Sequence, residues 1–307
     1  MAITAAMVKE LRELTGAGMM DCKKALNETN GDMDAAVDFL RKNGQAKAEK
    51  KAGRIAAEGL SKVVIDGNTA AVVEVNSETD FVAKNEKFQN FVTAVANQVL
   101  KSDAKDMDAF MAEPWDLDSS KTVKDALVEE VAVIGENLTI RRFEKVVAES
   151  GCVVSYTHGG GRIGVIVEAD TTAVTDDVKE ALTNVAMQIA ALNPKYVSQA
   201  DVSEEYKEHE KSILLEQAKN DPKNAGKPDN IIEKMIIGRL NKELKEVCLL
   251  EQEYVKAENK ESVGKYLEAV SKAAGADVKI KRFVRFETGE GIEKKKEDFA
   301  AEVAAQM

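Results

Sequence analysis

The pattern of apolar residues in the N-terminal part of the chain predicts three short helices. One face of the first helix carries Met7, Val8, Leu11 and Leu14. Thr4 can cap this helix, and the glycines of residues 15–18 end it because they reach backbone angles that are closed to other residues. A second helix follows over about residues 20–28, and Asp32 can cap a third. These helices predict a compact bundle, followed by a helical Lys/Ala-rich linker over residues 45–57.

The central part of the sequence contains an internal repeat. Residues 60–75 alternate as two strands around an Asp-Gly-Asn turn, and residues 152–167 do the same around a run of glycines. An amphipathic helix follows each hairpin, over residues 88–100 and 178–192. Each copy then closes on a similar strand, residues 135–143 in the first and 275–283 in the second. The pattern predicts an α+β fold of two diverged copies side by side, each with helices on one face of an antiparallel sheet.

The second copy is interrupted by an insertion of helical character over residues 201–244. A Pro/Gly-rich turn at residues 221–230 separates its two predicted helices. The positions expected to pair the two helices are Val202, Tyr206, Ile213 and Gln217 with Ile232, Met235, Ile236 and Leu240. A hairpin of two helices cannot cover all of its apolar surface, so we expect it to pack on something, for example a second copy of the chain. A short final helix is predicted from Lys294 to about Ala305.

These patterns divide the 307 residues into five parts. The parts are an N-terminal three-helix domain with its linker (1–54), a first α+β subdomain (55–147), a second α+β subdomain (148–200 and 245–287), the inserted hairpin (201–244) and a C-terminal module (288–307).

Composition restricts the class of function. Apolar residues make up 44% and charged residues 32%, as in ordinary folded proteins. The net charge of -11 repels phosphate backbones, and the basic stretch 45–54 has no aromatic residue for base stacking, so we expect no direct nucleic-acid binding. Cys22, Cys152 and Cys248 lie far apart and indicate neither a disulfide framework nor a zinc site. The sequence has no apolar stretch long enough for a membrane span and no export signal, so we expect a cytoplasmic protein. We also expect no cofactor and no bound metal.

Groups suited to catalysis are scarce. His209 lies among charged residues of a predicted helix and is interpreted as a solvated surface residue. His158 lies in the glycine-rich turn, where an exposed turn residue is favoured over a general base because the local sequence offers no orienting acid or nucleophile. A contact residue held out on a loop is a third interpretation. The run 158–164 lacks the Gly-Lys-Ser/Thr ending of a phosphate loop and lies between two strands. We therefore predict that the chain is not an enzyme.

The segment Thr79-Asp80-Phe81-Val82 lies between a predicted strand and a predicted helix. Asp80 can cap the next helical turn, which places Phe81 in its first turn. The ring of Phe81 either closes the core beneath the loop or projects into a partner. At the matching point the second copy has residues 168–174, which contain no aromatic side chain. A structurally required ring should occur in both copies, so the difference favours a partner contact.

Four segments closely resemble the bacterial translation elongation factor Ts family. They are residues 10–26, 79–82, 134–137 and 286–293, and the match runs in order along essentially the whole chain. This family exchanges guanine nucleotide on elongation factor Tu, the GTPase that delivers aminoacyl-tRNA to the ribosome. The resemblance implies that the chain binds GDP-bound and nucleotide-free elongation factor Tu, displaces its Mg²⁺ and promotes release of GDP so that GTP can bind.

The resemblance also implies which residues touch the partner. The N-terminal domain resembles a ubiquitin-associated-like domain, and Met19 and Met20 fall in its contact region. Residues Thr79 to Val82 match the element that dislodges Mg²⁺, a role carried by Asp80 and Phe81. His158 matches a second contact, although its glycine spacer is longer than the family pattern.

The remaining modules have counterparts in the family as well. The insertion resembles a coiled-coil dimerisation module, and the final helix resembles a C-terminal module that completes docking. The alternative is a ubiquitin-associated-like adaptor without exchange activity, which would bind the nucleotide-free and the GDP-bound GTPase equally well.

Overall fold

The computed structural model describes residues 3–224 and 227–293. These residues form helices and antiparallel sheets, with runs of helices between the strand pairs, so the predicted α+β class is confirmed. The predicted final helix, Lys294 to about Ala305, lies outside the described residues.

The N-terminal bundle consists of α1 (Ala5–Thr15), α2 (Met19–Glu28) and α3 (Met33–Lys51). Both predicted caps are present: the side chain of Thr4 accepts a hydrogen bond from Met7 N, and that of Asp32 accepts one from Ala35 N. Gly16 ends α1 with a φ of 66°. The small core of the bundle is formed by Val8, Leu11, Cys22, Ala25, Leu26 and Ala36. The helical part of the predicted linker is the end of α3.

Unit one, residues 58–147, contains the first copy of the repeat. Its elements are β1 (Glu58–Asp66), β2 (Thr69–Ser77), α4 (Asp80–Ala83), α5 (Glu86–Lys101), α6 (Met107–Ala112), β3 (Pro114–Trp115), β4 (Asp118–Thr122), α7 (Val123–Ile134) and β5 (Thr139–Val147). The main sheet is antiparallel in the order β1-β2-β5, and β3 and β4 form a separate small hairpin.

Unit two, residues 152–287, contains the second copy and the insertion. Its elements are β6 (Cys152–His158), β7 (Ile163–Thr171), α8 (Asp176–Leu192), α9 (Glu204–Asn220), α10 (Asp229–Val247), α11 (Val263–Ala274) and β8 (Val278–Glu287). The sheet order β6-β7-β8 repeats that of unit one.

The two copies correspond in detail. Both third strands carry a β-bulge: the extra residue is Arg141 in β5, next to the Glu74 pair, and Lys281 in β8, next to the Glu168 pair. The buried face of α5 is Phe88, Phe91, Val92, Val95, Ala96, Gln98 and Val99, and the equivalent positions of α8 are Val178, Ala181, Leu182, Val185, Ala186, Gln188 and Ile189. Glu74 and Phe88 are 14 positions apart, whereas Glu168 and Val178 are 10 apart. Unit one therefore has four extra residues between strand and helix, the length of α4.

The sheets of the two units stack face to face. Alternate residues of β2 point in opposite directions: Ala71, Val73 and Val75 pack under α5, while Ala70 and Val72 pack against the other sheet. Ile166, Val153 and Phe286 provide the opposite side of this interface. The body therefore has four layers, helix–sheet–sheet–helix. The apolar run of β2 is continuous because both of its faces are covered.

The bundle packs on unit one through α3 and α7. A Cβ on Gly44 would lie 3.3 Å from Ala132 Cβ, so the two helices approach closely at this point. Arg41 pairs with Glu129 at 3.4 Å at the edge of the contact, and the ammonium of Lys51 donates to the carbonyl of Gly135. The end of α3 is thus joined to the turn between α7 and β5.

The insertion forms the predicted antiparallel helical hairpin, α9 with α10. Its central contact consists of Leu214, Ala218 and Ile236, and its base consists of Val202, Leu244 and Cys248. The prediction for α10 is confirmed at Ile236, but Ile213 and Gln217 of α9 are exposed. The α9 prediction is confirmed at Tyr206, which packs on the base cluster, and is wrong by one position at Ile213 and Gln217, whose places are taken by Leu214 and Ala218. Ile213 and Leu214 are both apolar, and only tertiary packing selects between them.

Candidate partner-binding site

The turn that carries Phe81 is a single helical turn capped at its start by Thr79. The side chain of Thr79 accepts a hydrogen bond from Val82 N at 3.4 Å. Asp80 is the first helical residue instead of the cap, so that prediction was wrong by one position. Thr and Asp are both favourable cap residues, and sequence alone does not choose between neighbours. Phe81 lies in the first turn, as predicted.

Phe81 projects into solvent. Its side chain is 80% exposed, whereas its neighbour Val82 packs against the core of unit one. The alternative in which the ring of Phe81 closes that core is therefore wrong. Burying such a ring stabilises a folded protein by about 1.5–3 kcal/mol, and the fold of unit one lacks this contribution because the ring of Phe81 is exposed.

Asp80 presents a carboxylate beside this ring. The ammonium of Lys84 donates to Asp80 Oδ2 at 2.6 Å, and this hydrogen bond holds the pKa of Asp80 below its ordinary value. The carboxyl group is consequently ionised at neutral pH. The same ammonium lies 5.9 Å from the centroid of the Phe81 ring.

The carboxylates of Glu136 and Glu78 join the start of the Phe81 turn (residues 79–83) to the turn between α7 and β5. Glu136 Oε2 accepts from Glu78 N at 3.1 Å and from Thr79 N at 3.0 Å, and Glu136 Oε1 accepts from Thr79 Oγ1 at 2.7 Å. In return, Glu78 Oε1 accepts from Asn137 N at 2.6 Å. Glu136 lies in the segment 134–137 that carries part of the family resemblance, but its sequence surroundings gave no sign of this contact.

The start of α2 presents two exposed methionines. The side chains of Met19 and Met20 are 59% and 74% exposed, so neither belongs to the core of the bundle. The preceding turn faces unit one, where a Cβ on Gly16 would lie 3.0 Å from Lys87 Nζ. Lys87 is in the first turn of α5, directly after the Phe81 turn. The turn that precedes the methionines therefore lies close to the start of α5, the helix that follows the Phe81 turn.

His158 lies exposed at the end of β6, in the predicted hairpin turn. Its Nδ1 is 3.0 Å from the hydroxyl of Tyr156. Gly159, Gly160 and Gly161 all have positive φ, and the turn docks on β1, where Ser61 N donates to Gly161 O at 2.7 Å. Gly161 has a φ of 104°, and a Cβ there would lie 2.6 Å from Leu60 Cδ2, so the backbone conformation at this position favours glycine.

The structure brings the His158 turn and the Phe81 turn to neighbouring positions. β1 pairs with the last residues of β2, just before α4, and α4 itself lies against β1. The chain after β8 meets the same region, because Thr288 Oγ1 lies 3.0 Å from Ser61 Oγ and Gly289 N donates to Glu74 at 2.7 Å. The Phe81 turn, the His158 turn and the residues directly after β8 thus lie near one end of unit one.

Within 3–224 and 227–293, no group of three or more His, Cys, Asp or Glu side chains could hold a metal ion. The three cysteines are free and buried, and burial raises the pKa of the Cys248 thiol to about 11. Among these same residues, no helix combines the length and the apolar character needed to cross a membrane.

Comparison with known proteins places the chain in a family. The family described as elongation factor TS matches residues 78–290, more than half of the chain. Elongation factor Ts of Clostridioides difficile (strain 630) is 54% identical over 308 residues, covering 99% of each chain. Elongation factor Ts of Clostridium perfringens (strain 13 / Type A) is 53% identical over 304 residues, covering 98% of each, and that of Trichlorobacter lovleyi is 52% identical over 311 residues. The chain therefore belongs to the elongation factor Ts family and acts in translation elongation.

Proposed function

We propose that this chain is the guanine-nucleotide exchange factor for elongation factor Tu. It binds the GDP-bound GTPase, disturbs the Mg²⁺ site and promotes release of GDP, after which GTP enters. The observation that carries the proposal is the ring of Phe81, 80% exposed on an anchored helical turn. Membership of the elongation factor Ts family supplies the partner.

Phe81 acts by inserting into the partner near its Mg²⁺. Mg²⁺ requires near-ideal octahedral geometry, so a displacement of its ligands by about an ångström weakens its hold on the phosphates. Burial of the ring supplies about 1.5–3 kcal/mol, equivalent to about a tenfold to hundredfold change in rate. Asp80 adds an ionised carboxylate at the same place. No covalent step occurs, and the chain is not an enzyme in the chemical sense.

Further contacts supply the rest of the acceleration. Met19 and Met20 dock the bundle on the partner, for which flexible, polarizable thioether side chains are suited. His158 touches a second part of the partner, and the segment after β8 completes the interface. Coupling is reciprocal: if the factor weakens nucleotide binding, incoming nucleotide weakens the factor to the same degree. Binding of GTP therefore releases the factor.

The proposal includes three further statements about the assembly. The hairpin α9–α10 joins two copies of the chain, because Ile231 and Ile237 leave apolar surface exposed on it. The net charge of -11 disfavours direct contact with nucleic acid. A factor that serves translation works where ribosomes are, which assigns the chain to the cytoplasm.

The test is release of fluorescent GDP from elongation factor Tu. We expect the release rate to rise with added protein and to saturate. EDTA, which removes Mg²⁺ directly, should accelerate release by itself and leave a much smaller increment for the protein. Binding to the GTPase without any change in release rate would instead identify an adaptor and overturn the proposal.

A further inference from the structure

The Phe81 turn is too short to hold its own position. α4 has 4 residues, a single turn, and isolated helices below about 12 residues are marginal in water. The ring of Phe81 is 80% exposed and anchors nothing within the chain. The direction of this ring must therefore be fixed by groups outside the turn.

Glu136, in the turn between α7 and β5, supplies that anchor. Its carboxylate accepts hydrogen bonds from two consecutive backbone N–H groups, those of Glu78 and Thr79, and from the hydroxyl of Thr79. The Thr79 hydroxyl in turn accepts from Val82 N. Because the hydroxyl proton points to Glu136, its lone pairs remain available for the helix. Glu136 thus sets both the position and the cap of α4.

The anchor is reciprocal and extends to the bundle. Glu78 accepts from Asn137 N at 2.6 Å and from Arg54 Nη1 at 3.3 Å, and Asn137 Nδ2 donates to the carbonyl of Arg54 at 2.8 Å. Arg54 follows α3 closely, and Lys51 donates to Gly135 O in the same turn. The exit of the bundle, the Phe81 turn and the α7–β5 turn form one hydrogen-bonded node.

The repeat provides an independent comparison. Gly135 and Gly275 are equivalent, since each ends a helix with positive φ before the closing strand. Glu136 then corresponds to Ala276, which has no side-chain acceptor. Unit two also lacks the α4 turn, because α8 is capped directly by Thr175. A carboxylate at the position of Glu136 therefore occurs in the unit that has a turn to hold and is replaced by alanine in the other.

We propose that Glu136 is the positioning residue for the exchange reaction, holding the Phe81 turn rigid so that the ring enters the partner without a further ordering step. This inference rests on the proposed function. Glu136 bonds directly to the Phe81 turn, whereas the bundle joins this node through Glu78 and Asn137, and the His158 turn docks on β1. Loss of Glu136 should therefore lower the maximal rate of GDP release. The concentration of factor that gives half-maximal release should change less.

The experiment is a double-mutant cycle on the full chain. Release of fluorescent GDP from elongation factor Tu is measured for the wild type, Glu136→Ala, Phe81→Ala and the double variant. We expect Glu136→Ala to lower the maximal rate about tenfold and Glu136→Gln, which keeps one carbonyl acceptor, to lower it less. In the Phe81→Ala background, Glu136→Ala should have little further effect. Asp277→Ala, an exposed carboxylate in the equivalent turn of unit two, is the matched control and should leave the rate unchanged.

The outcomes separate this inference from the proposed function. Equal effects of Glu136→Ala in the presence and absence of the Phe81 ring would overturn the positioning role. So would a normal release rate in Glu136→Ala when Phe81→Ala is slow. If Phe81→Ala itself releases GDP at the wild-type rate, the proposed function fails instead. Thermal unfolding of each variant, together with the partial rescue by Glu136→Gln, distinguishes lost positioning from general destabilisation.

Discussion

Glu74 and Glu168 occupy the same position in the two units, each buried before the β-bulge of its sheet. Each pairs with an arginine directly opposite on the third strand, Arg142 for Glu74 and Arg282 for Glu168. Glu74 differs in that it also accepts a hydrogen bond from Gly289 N at 2.7 Å. The ion pair of unit one therefore holds the chain beyond β8, whereas its counterpart in unit two extends through Arg282 to Glu144 of β5 at 3.5 Å.

The stabilisation by Glu74 should depend on pH. Burial alone would raise the pKa of this carboxyl, but the Gly289 N–H and the guanidinium groups of Arg142 and Arg141 outweigh burial and lower it. A lowered folded pKa means that the contribution is complete above the unfolded value of about 4.3 and is lost as the pH falls through the folded value. We expect Glu74→Gln to reduce the free energy of unfolding at pH 7 by about 2–4 kcal/mol. In urea unfolding, the difference between wild type and variant should begin to shrink as the pH falls below about 4.3 and should keep shrinking toward the lowered folded pKa.

Glu168→Gln is the matched control for this prediction. Its partners Lys281 and Arg282 are about half exposed, so water replaces part of the lost interaction and the loss at pH 7 should be smaller. A difference between wild type and Glu74→Gln that stays constant down to pH 3 would contradict an ionic contribution.

Phe81→Ala should leave the fold intact and slow GDP release. The ring makes no core contact, so the free energy of unfolding should change by less than about 0.5 kcal/mol. The maximal rate of release from elongation factor Tu should fall about tenfold to a hundredfold, because the variant loses the burial of the ring in the partner. Val174→Ala removes an exposed apolar side chain at the equivalent turn of unit two and should not alter the rate. Stopped-flow release at the wild-type rate in Phe81→Ala would refute the role of the ring.

The repeat could be predicted from sequence because its signals are local. Alternating strands around Gly-containing turns and the apolar stripe that begins at Phe88 do not depend on the rest of the chain. The exposure of Phe81 was also favoured in advance, because the second copy has no aromatic residue at that point. This comparison uses the chain as its own reference.

Features that depend on distant partners could not be predicted. Glu136 meets Thr79 only after the chain has folded through α5 to α7, and no sequence spacing indicates this contact. The choice of Thr79 over Asp80 as cap follows from the same carboxylate. One face of β2 packs under α5 and the other packs against the sheet of unit two. A continuous apolar run indicates that both faces are buried, but it does not specify what covers each face.

Gly59 cannot accept a side chain. Its φ is 125°, and a Cβ would lie 2.1 Å from the carbonyl oxygen of Val75 on the paired strand. The equivalent Gly151 has the same restriction against Ala169 O. We expect Gly59→Ala to lower the free energy of unfolding by more than about 2 kcal/mol in urea titrations. Gly53→Ala, where no atom lies within 4 Å of the added Cβ, should change it by less than about 0.5 kcal/mol. Equal stability of the two variants would contradict the close approach.

Removal of the hairpin should change oligomeric state more than exchange. The base cluster of Val202, Leu244 and Cys248 belongs to unit two, so the deletion should span residues 208–239, closed by a short Gly/Ser linker. We expect light scattering to show the mass falling to that of a single chain, while GDP release changes little, because the Phe81 turn lies in unit one. Ile231→Ser with Ile237→Ser should reproduce this result without shortening the chain. Ile55→Ser, at a residue as exposed as Ile231 but outside the hairpin, should leave the mass unchanged. An unchanged assembly after the deletion would show that the apolar face of the hairpin does not join two copies.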